Sequence, residues 1–242
     1  MRSSIPMAGL LAITASAYAS FVRPRMLRWG ATDRELEAPF PGASIIPDGK
    51  RGSLMAVTID APPSAVWPWL LQMGCDRAGF YSWDQLDNGG RPSAEELHPE
   101  WQSLAVGDRI FATPNREHWF EVAAIERERF FAVRACFTRD GHPYDPRATR
   151  PSSFSDTLWA FELRPLAHHR TRLLVTTYGT VSHMGPLTAL NYVFWEPAHW
   201  IMQTRQFTNL KRRAERTFSE VARHRHSMPS AEPPAHVCDG SH

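Results

Sequence analysis

Apolar and polar residues alternate with a period of two through five consecutive segments: GDRIFATP from Gly107, HWFEVAAIERE from His118, RFFAVRACF from Arg129, SDTLWAFELRP from Ser155 and TRLLVTTYGTVS from Thr171. This is the pattern of half-buried strands, and the Pro, Glu-Arg and His-His connections between them are turn-like. No helical pattern separates the five, so an antiparallel meander is predicted. An earlier strand is expected in SLMAVTID, where Leu54 or Met55, Val57 and Ile59 are the apolar positions. In APPSAVWPWLLQMG the period lengthens and places Val66, Trp67, Leu70 and Leu71 on one helical face, with the prolines at its start.

Next comes DRAGFYSWDQLDNGG. Gly74 and Gly79 permit a sharp turn, Ser82-Trp83-Asp84-Gln85 has the form of a capping box, and a short helix from about Trp83 to Asp87 should stop at Asn88-Gly89-Gly90. The last element predicted is a long helix from about Pro186 to Val221. Its stripe holds Met202, Phe207, Leu210, Ala214 and Phe218, with Arg205, Lys211, Arg212, Arg213 and Arg216 largely on the other side. Glu196-Pro197 fits a kink or a restart of that helix. The Pro- and Gly-dense stretch from Arg23 to Gly49 reads as an irregular lead-in, and the chain from about Arg223 has no apolar periodicity and reads as disordered.

Composition narrows the function more than it defines it. The 27 basic and 25 acidic residues are intermixed, which gives no nucleic-acid surface, and nucleic acid is not expected as a partner. Three scattered cysteines, Cys75, Cys136 and Cys238, form no CxxC and read as reduced thiols. No GxSxG, HExxH or P-loop occurs, so no cofactor and no metal site are expected. The nine tryptophans are the unusual feature, because large aromatics fill cores but also wall apolar cavities.

The N-terminus is open to three readings. Twenty uncharged residues separate Arg2 from Arg23, although Ala, Ser and Thr make up half of them. They suit a docked or frayed helix of a cytoplasmic protein, a membrane anchor, or a cleaved signal ending near Ala15-Ser16-Ala17. Membrane contact through residues 5–22 is therefore an expectation, and Arg23, Arg25 and Arg28 would then hold the following domain on the cytoplasmic side. The domain boundaries predicted are an apolar segment 1–27, a single domain 28–222 and a tail 223–242.

The order of elements, with RWGAT at Arg28, IDAPPSAVWPWLLQMG at Ile59, DRAGFYSWDQLDN at Asp76, LAVGDRI at Leu104, LWAFELRPL at Leu158, TRLLV at Thr171 and KRRAE at Lys211, resembles the START-like, polyketide cyclase/dehydrase (SRPBCC, Bet v 1-like) superfamily. The resemblance implies an α+β helix-grip fold: a curved antiparallel β-sheet wrapped around a long C-terminal helix, with two short helices after the first strand. It also implies a cavity between sheet and helix that binds a hydrophobic or amphipathic small molecule such as a lipid, polyketide or terpenoid. In some members the cavity catalyses cyclisation or dehydration without a cofactor.

Within such a fold, alternation points Trp159, Phe161 and Leu163 inward, and sets Phe131, Val133 and Ala135 against Phe130, Ala132 and Arg134. Arg134 is either a solvated sheet residue or a buried cation that orients an acidic ligand group. Met202, Gln203 and Gln206 fall on or beside the helix stripe facing the sheet, and Tyr178 can present its hydroxyl to the cavity. His199 on the same stripe is either an acid-base group or a structural or ligand-orienting histidine. Asp84 is either a structural acceptor or a catalytic carboxylate, and Tyr81 and Trp83 beside it are candidate ligand contacts.

Overall fold

The computed structural model describes residues 15–182 and 186–227, apart from the side chains of 186–192 and 225–227. Six strands, β1 (Lys50–Ile59), β2 (Arg109–Phe111), β3 (Trp119–Glu126), β4 (Phe130–Thr138), β5 (Phe154–Leu166) and β6 (Arg170–Val181), form one antiparallel sheet in the order β1-β6-β5-β4-β3-β2. The five alternating segments are thus the meander, and β1 joins its β6 edge. Register breaks between Arg51 and Ser53 and between Val122 and Ala124 insert the extra residues that let a sheet bend. A π-helical turn (Tyr18–Val22) runs into α1 (Arg23–Leu27), followed by α2 (Asp33–Glu37), α3 (Pro63–Leu71), α4 (Asp84–Asp87) and the long α5 (Pro186–Ser227). This is the helix-grip arrangement.

Period-two alternation decides which side chains meet the long helix. Met55, Val175, Phe161 and Phe131 lie in register across four strands, and all are buried in one cluster with Val66, Trp67 and Leu70 of α3 and Phe207, Leu210 and Ala214 of α5. Fully burying a side chain of this size is worth about 1.5–3 kcal/mol, so this layer is the main stabilising unit.

The outer face of the sheet is covered by the lead-in, which is more ordered than its proline content suggests. Ala31 and Leu36 pack on Leu54, Ala56 and Leu174, while Phe40 packs on Phe130, Ala132 and Ala160. Thr32 and Glu35 form a reciprocal capping box at α2, and Glu35 also pairs with Arg172 of β6 at 2.8 Å. That guanidinium holds the Glu35 carboxyl at about 2.

Three local expectations are corrected. The capping box at Ser82 does not form: α4 begins at Asp84, Trp83 is its N-cap, and the Ser82 hydroxyl is buried without a partner of normal geometry. The cause lies one residue upstream, where Tyr81 adopts a left-handed φ of 61° and the loop turns Ser82 inward. The long helix does not restart at Pro197: α5 is continuous through it. The carbonyl freed by the missing N–H belongs to Val193, a half-exposed residue. Arg213 is only 3% exposed, rather than on a solvated face: it lies over the Tyr81 ring and binds Ala94 O and Glu95.

Candidate functional site

Burial along the inner face of the sheet falls off toward one end. On β5, Leu163 and Phe161 are buried, whereas Trp159, Thr157 and Ser155 are partly exposed. On β6, Leu173 and Val175 are buried and Thr177 and Gly179 partly exposed, and on β4 Phe137 opens in the same direction. The inner face is therefore packed solid against α5 at one end and opens, with partly exposed side chains, at the other. Phe207, Leu210 and Ala214 fill the closed end, while Gln203 and His199, one and two turns further back on the same stripe, stand over the open one.

A line of hydrogen bonds crosses the boundary between these ends. Trp159 Nε1 donates to Gln203 Oε1 at 3.2 Å, Gln203 Nε2 to Gln206 Oε1 at 2.8 Å, and Gln206 Nε2 to the Phe80 carbonyl at 2.9 Å. Both glutamines are 2% exposed, so this chain satisfies amides that would otherwise be orphaned among apolar neighbours. Phe80, Phe120 and Trp159 form an aromatic wall beside it, with ring centroids 5.9–6.3 Å apart.

Two polar atoms nearby remain unused. His199 Nε2 and Trp200 Nε1 are buried without a hydrogen-bond partner, and each such orphan typically costs about 1–3 kcal/mol. The His199 ring lies roughly parallel to Trp195, 6.3 Å away, and burial pushes its pKa down to about 4. It is neutral at physiological pH and can bond a ligand hydroxyl or carbonyl, but it is a weak base there.

The remaining predicted residues lie elsewhere. Tyr178 and Arg134 are on the outer face, which corrects their expected placement on the face toward the long helix. They pair in register with Leu158, one residue out of phase with the inward-facing Trp159, and a single-residue offset reverses the face. Tyr178 stacks against Phe40 at 4.9 Å. Arg134 grips Asp156, a carboxylate with no exposure, through bonds of 2.8 and 2.6 Å, and Arg150 adds a third at 3.0 Å. This matches neither reading of Arg134, since it is a part-buried cation whose anion is supplied by the protein itself.

Tyr81 is completely buried. Its hydroxyl donates to Trp69 O at 3.0 Å, and burial raises its pKa, so it is a structural anchor. Asp84 accepts from Ser93 N and Oγ at 3.1 and 2.6 Å, which ties α4 to the loop after it. Trp83 is 43% exposed on the surface beneath Arg205. Met202 is partly exposed beside Gln203, and Phe161 is buried against Phe131.

Phe80, Phe120, Thr157, Thr177 and Trp200 were missed by sequence reasoning. Alternation carried a usable signal for three of them: Phe120 stands two residues before Val122, Thr157 two before Trp159 and Thr177 two after Val175.

A separate cleft of about 270 Å³ opens on the outer face between Arg109, Trp119, Glu121, Arg134, Tyr144 and Arg147. Its cations are already engaged: Arg134 by Asp156, Arg147 by Asp145 and Glu121, and Arg109 over the Trp119 ring.

No family model matches the chain, and no curated protein matches it. Solved structures similar to it include an aromatase/cyclase from a Streptomyces strain, at 16% identity over 69% of this chain and 94% of that one, TM-score 0.38. A protein from Arthrobacter aurescens is similar at 17% identity over 78% and 92%, TM-score 0.37. The protein Ara h 8.0201 is similar at 12% identity over 67% and 98%, TM-score 0.37. At these identities and scores no function carries across. The helix-grip arrangement stands on the strand order and helix placement of this chain.

Proposed function

We propose that the protein binds a hydrophobic or amphipathic small molecule in the groove between the sheet and α5, entering at its open end. The observation that carries this reading is the coincidence of an incompletely filled aromatic wall with unpartnered polar atoms, His199 Nε2 and Trp200 Nε1. Apolar ligand surface would be buried against Trp159, Phe120 and Phe80, and a hydroxyl or carbonyl would be oriented by the histidine and the glutamine line. Acid-base catalysis is a less favoured use of the same groove. His199 is a poor base at neutral pH, Asp84 Oδ1 is held by Ser93, and the Tyr81 hydroxyl is held by Trp69 O.

Native mass spectrometry of gently purified protein, together with displacement of a fluorescent fatty-acid analogue, tests this reading. Thr157→Trp places a large ring in the open end and should weaken analogue binding at least about tenfold, the effect of losing roughly 1.4 kcal/mol of contact. A protein that carries no small molecule and binds no analogue, or a variant that binds as well as the parent, would sink the proposal.

A further inference from the structure

Two stretches of the chain that lack Asp, Glu, Lys and Arg end side by side. Residues 3–22 contain none of these, nor do residues 184–195, and the first charges that follow them are Arg23 and Glu196. Those two charges pair with each other: Arg23 Nε and Nη2 reach the Glu196 carboxylate at 2.6 and 2.7 Å, and the Glu196 side chain is 9% exposed. Further along, the Trp29 ring stacks on Phe207 at 5.9 Å. Advancing from Arg23 to Trp29 therefore advances along α5 from Glu196 to Phe207, so the described residues that precede the two charges, 15–22 and 186–195, lead away from the ion pair to the same side of the molecule.

Among the described residues on and beside that side, large apolar groups face water. Phe21 and Val22 are 61% and 48% exposed, Val193, Phe194 and Trp195 are 51%, 70% and 56%, and Ile201 on the Phe194 stripe is 45%. Val193, Phe194 and Trp195 are consecutive and cover about 200° of the helix circumference. An exposed apolar arc of that width belongs against a protein or a membrane.

Length and charge then distinguish between occupants. From Pro186 to Trp195, α5 extends about 15 Å, half the thickness of a bilayer's hydrocarbon core, and no helix among the described residues is long and apolar enough to cross a membrane. Just behind the ion pair, Arg25 and Arg28 are exposed. An apolar tip, an interfacial tryptophan and then cations is the order of a monotopic membrane contact, whereas two copies of the chain meeting here would bring like charges together.

We propose that the exposed apolar residues on this side, Phe21, Val22, Val193, Phe194 and Trp195, held together by Arg23–Glu196, seat the protein on a lipid bilayer. The apolar side chains enter one leaflet, and Arg25 and Arg28 meet anionic head groups. This holds whether or not the groove takes a ligand. His199 is one turn from Glu196, so the open end of the groove is brought to the lipid surface.

Flotation of the full chain with phosphatidylcholine vesicles, and with vesicles containing one third phosphatidylglycerol, tests the proposal. Binding to both is expected, and it should be tighter to the anionic set. Phe194→Glu with Trp195→Glu should lower the partition coefficient at least about tenfold, and Phe21→Glu with Val22→Glu on the other arm should do the same. Arg25→Gln with Arg28→Gln should lower only the anionic component, by about fivefold per arginine. A chain that stays in solution with both vesicle types, or glutamate variants that float like the parent, would overturn it. So would a dimer in light scattering that the glutamates dissolve, because this face would then belong to a second copy.

Discussion

Asp87, at the end of α4, offers a direct test of the electrostatics of the DRAGFYSWDQLDN corner. Neither carboxylate oxygen has a hydrogen-bond partner of normal geometry, and the main-chain carbonyl of the same residue accepts from Cys75 Sγ at 2.9 Å. Burial, reinforced by the Asp84 charge and partly offset by the Ser82 hydroxyl, pushes its pKa up to about 6 from 3.8. A folded-state pKa above the unfolded value means that the folded form holds the proton more tightly. The stabilising contribution is fully present below about pH 4, is lost as pH rises through about 6, and is absent above it. Two pKa units set a ceiling of about 3 kcal/mol, and solvent screening of this half-buried group reduces it to about 1–2 kcal/mol. Asp87→Asn should therefore raise unfolding free energy by about 1–2 kcal/mol near pH 7.5 and by less than about 0.5 near pH 4. Urea titrations followed by tryptophan fluorescence at fixed pH values measure both. An equal gain at both pH values, or destabilisation at the higher one, would refute the desolvation argument.

His199 carries the opposite sign in an overlapping window. Its folded pKa lies below the unfolded value, so the neutral ring's contribution is complete above about 6.5 and is lost as pH falls toward about 4. His199→Phe should flatten that acid-side decline in the same titrations, and an unchanged slope would show that the ring is not desolvated. On the outer face, Arg134→Met leaves Asp156 buried with Arg150 as its remaining cation and the Cys136 thiol as a weak donor, and should cost about 3 kcal/mol. Adding Asp156→Leu should recover most of that loss, because the penalty lies in the unpaired charge. Thermal unfolding of the single and double variants decides this, and a double variant no more stable than the single would contradict it.

Much of the fold was legible because a period of two or of 3.6 is written in the chain itself. The five alternating segments became β2 to β6, and Trp159, Phe161 and Leu163 point inward as their alternation requires. The Phe207, Leu210 and Ala214 stripe likewise faced the sheet, since each apolar position had a single side on which to be buried. What the chain could not state was which polar group would find which partner. Ser82 had the form of a cap, but the left-handed turn at Tyr81 moved it out of reach, while the working capping box formed at Thr32 and Glu35 in a stretch read as irregular. Tyr178 and Arg134 had suitable chemistry for a cavity, yet their faces were set by register with Leu158, a residue distant from one and separated from the other by a loop. The ion pair between Arg23 and Glu196 joins residues 173 positions apart. Local periodicity determined the elements and their buried faces; long-range pairing decided the partners of charges and hydroxyls, because their energies depend on distance and burial that only the assembled sheet and helix supply.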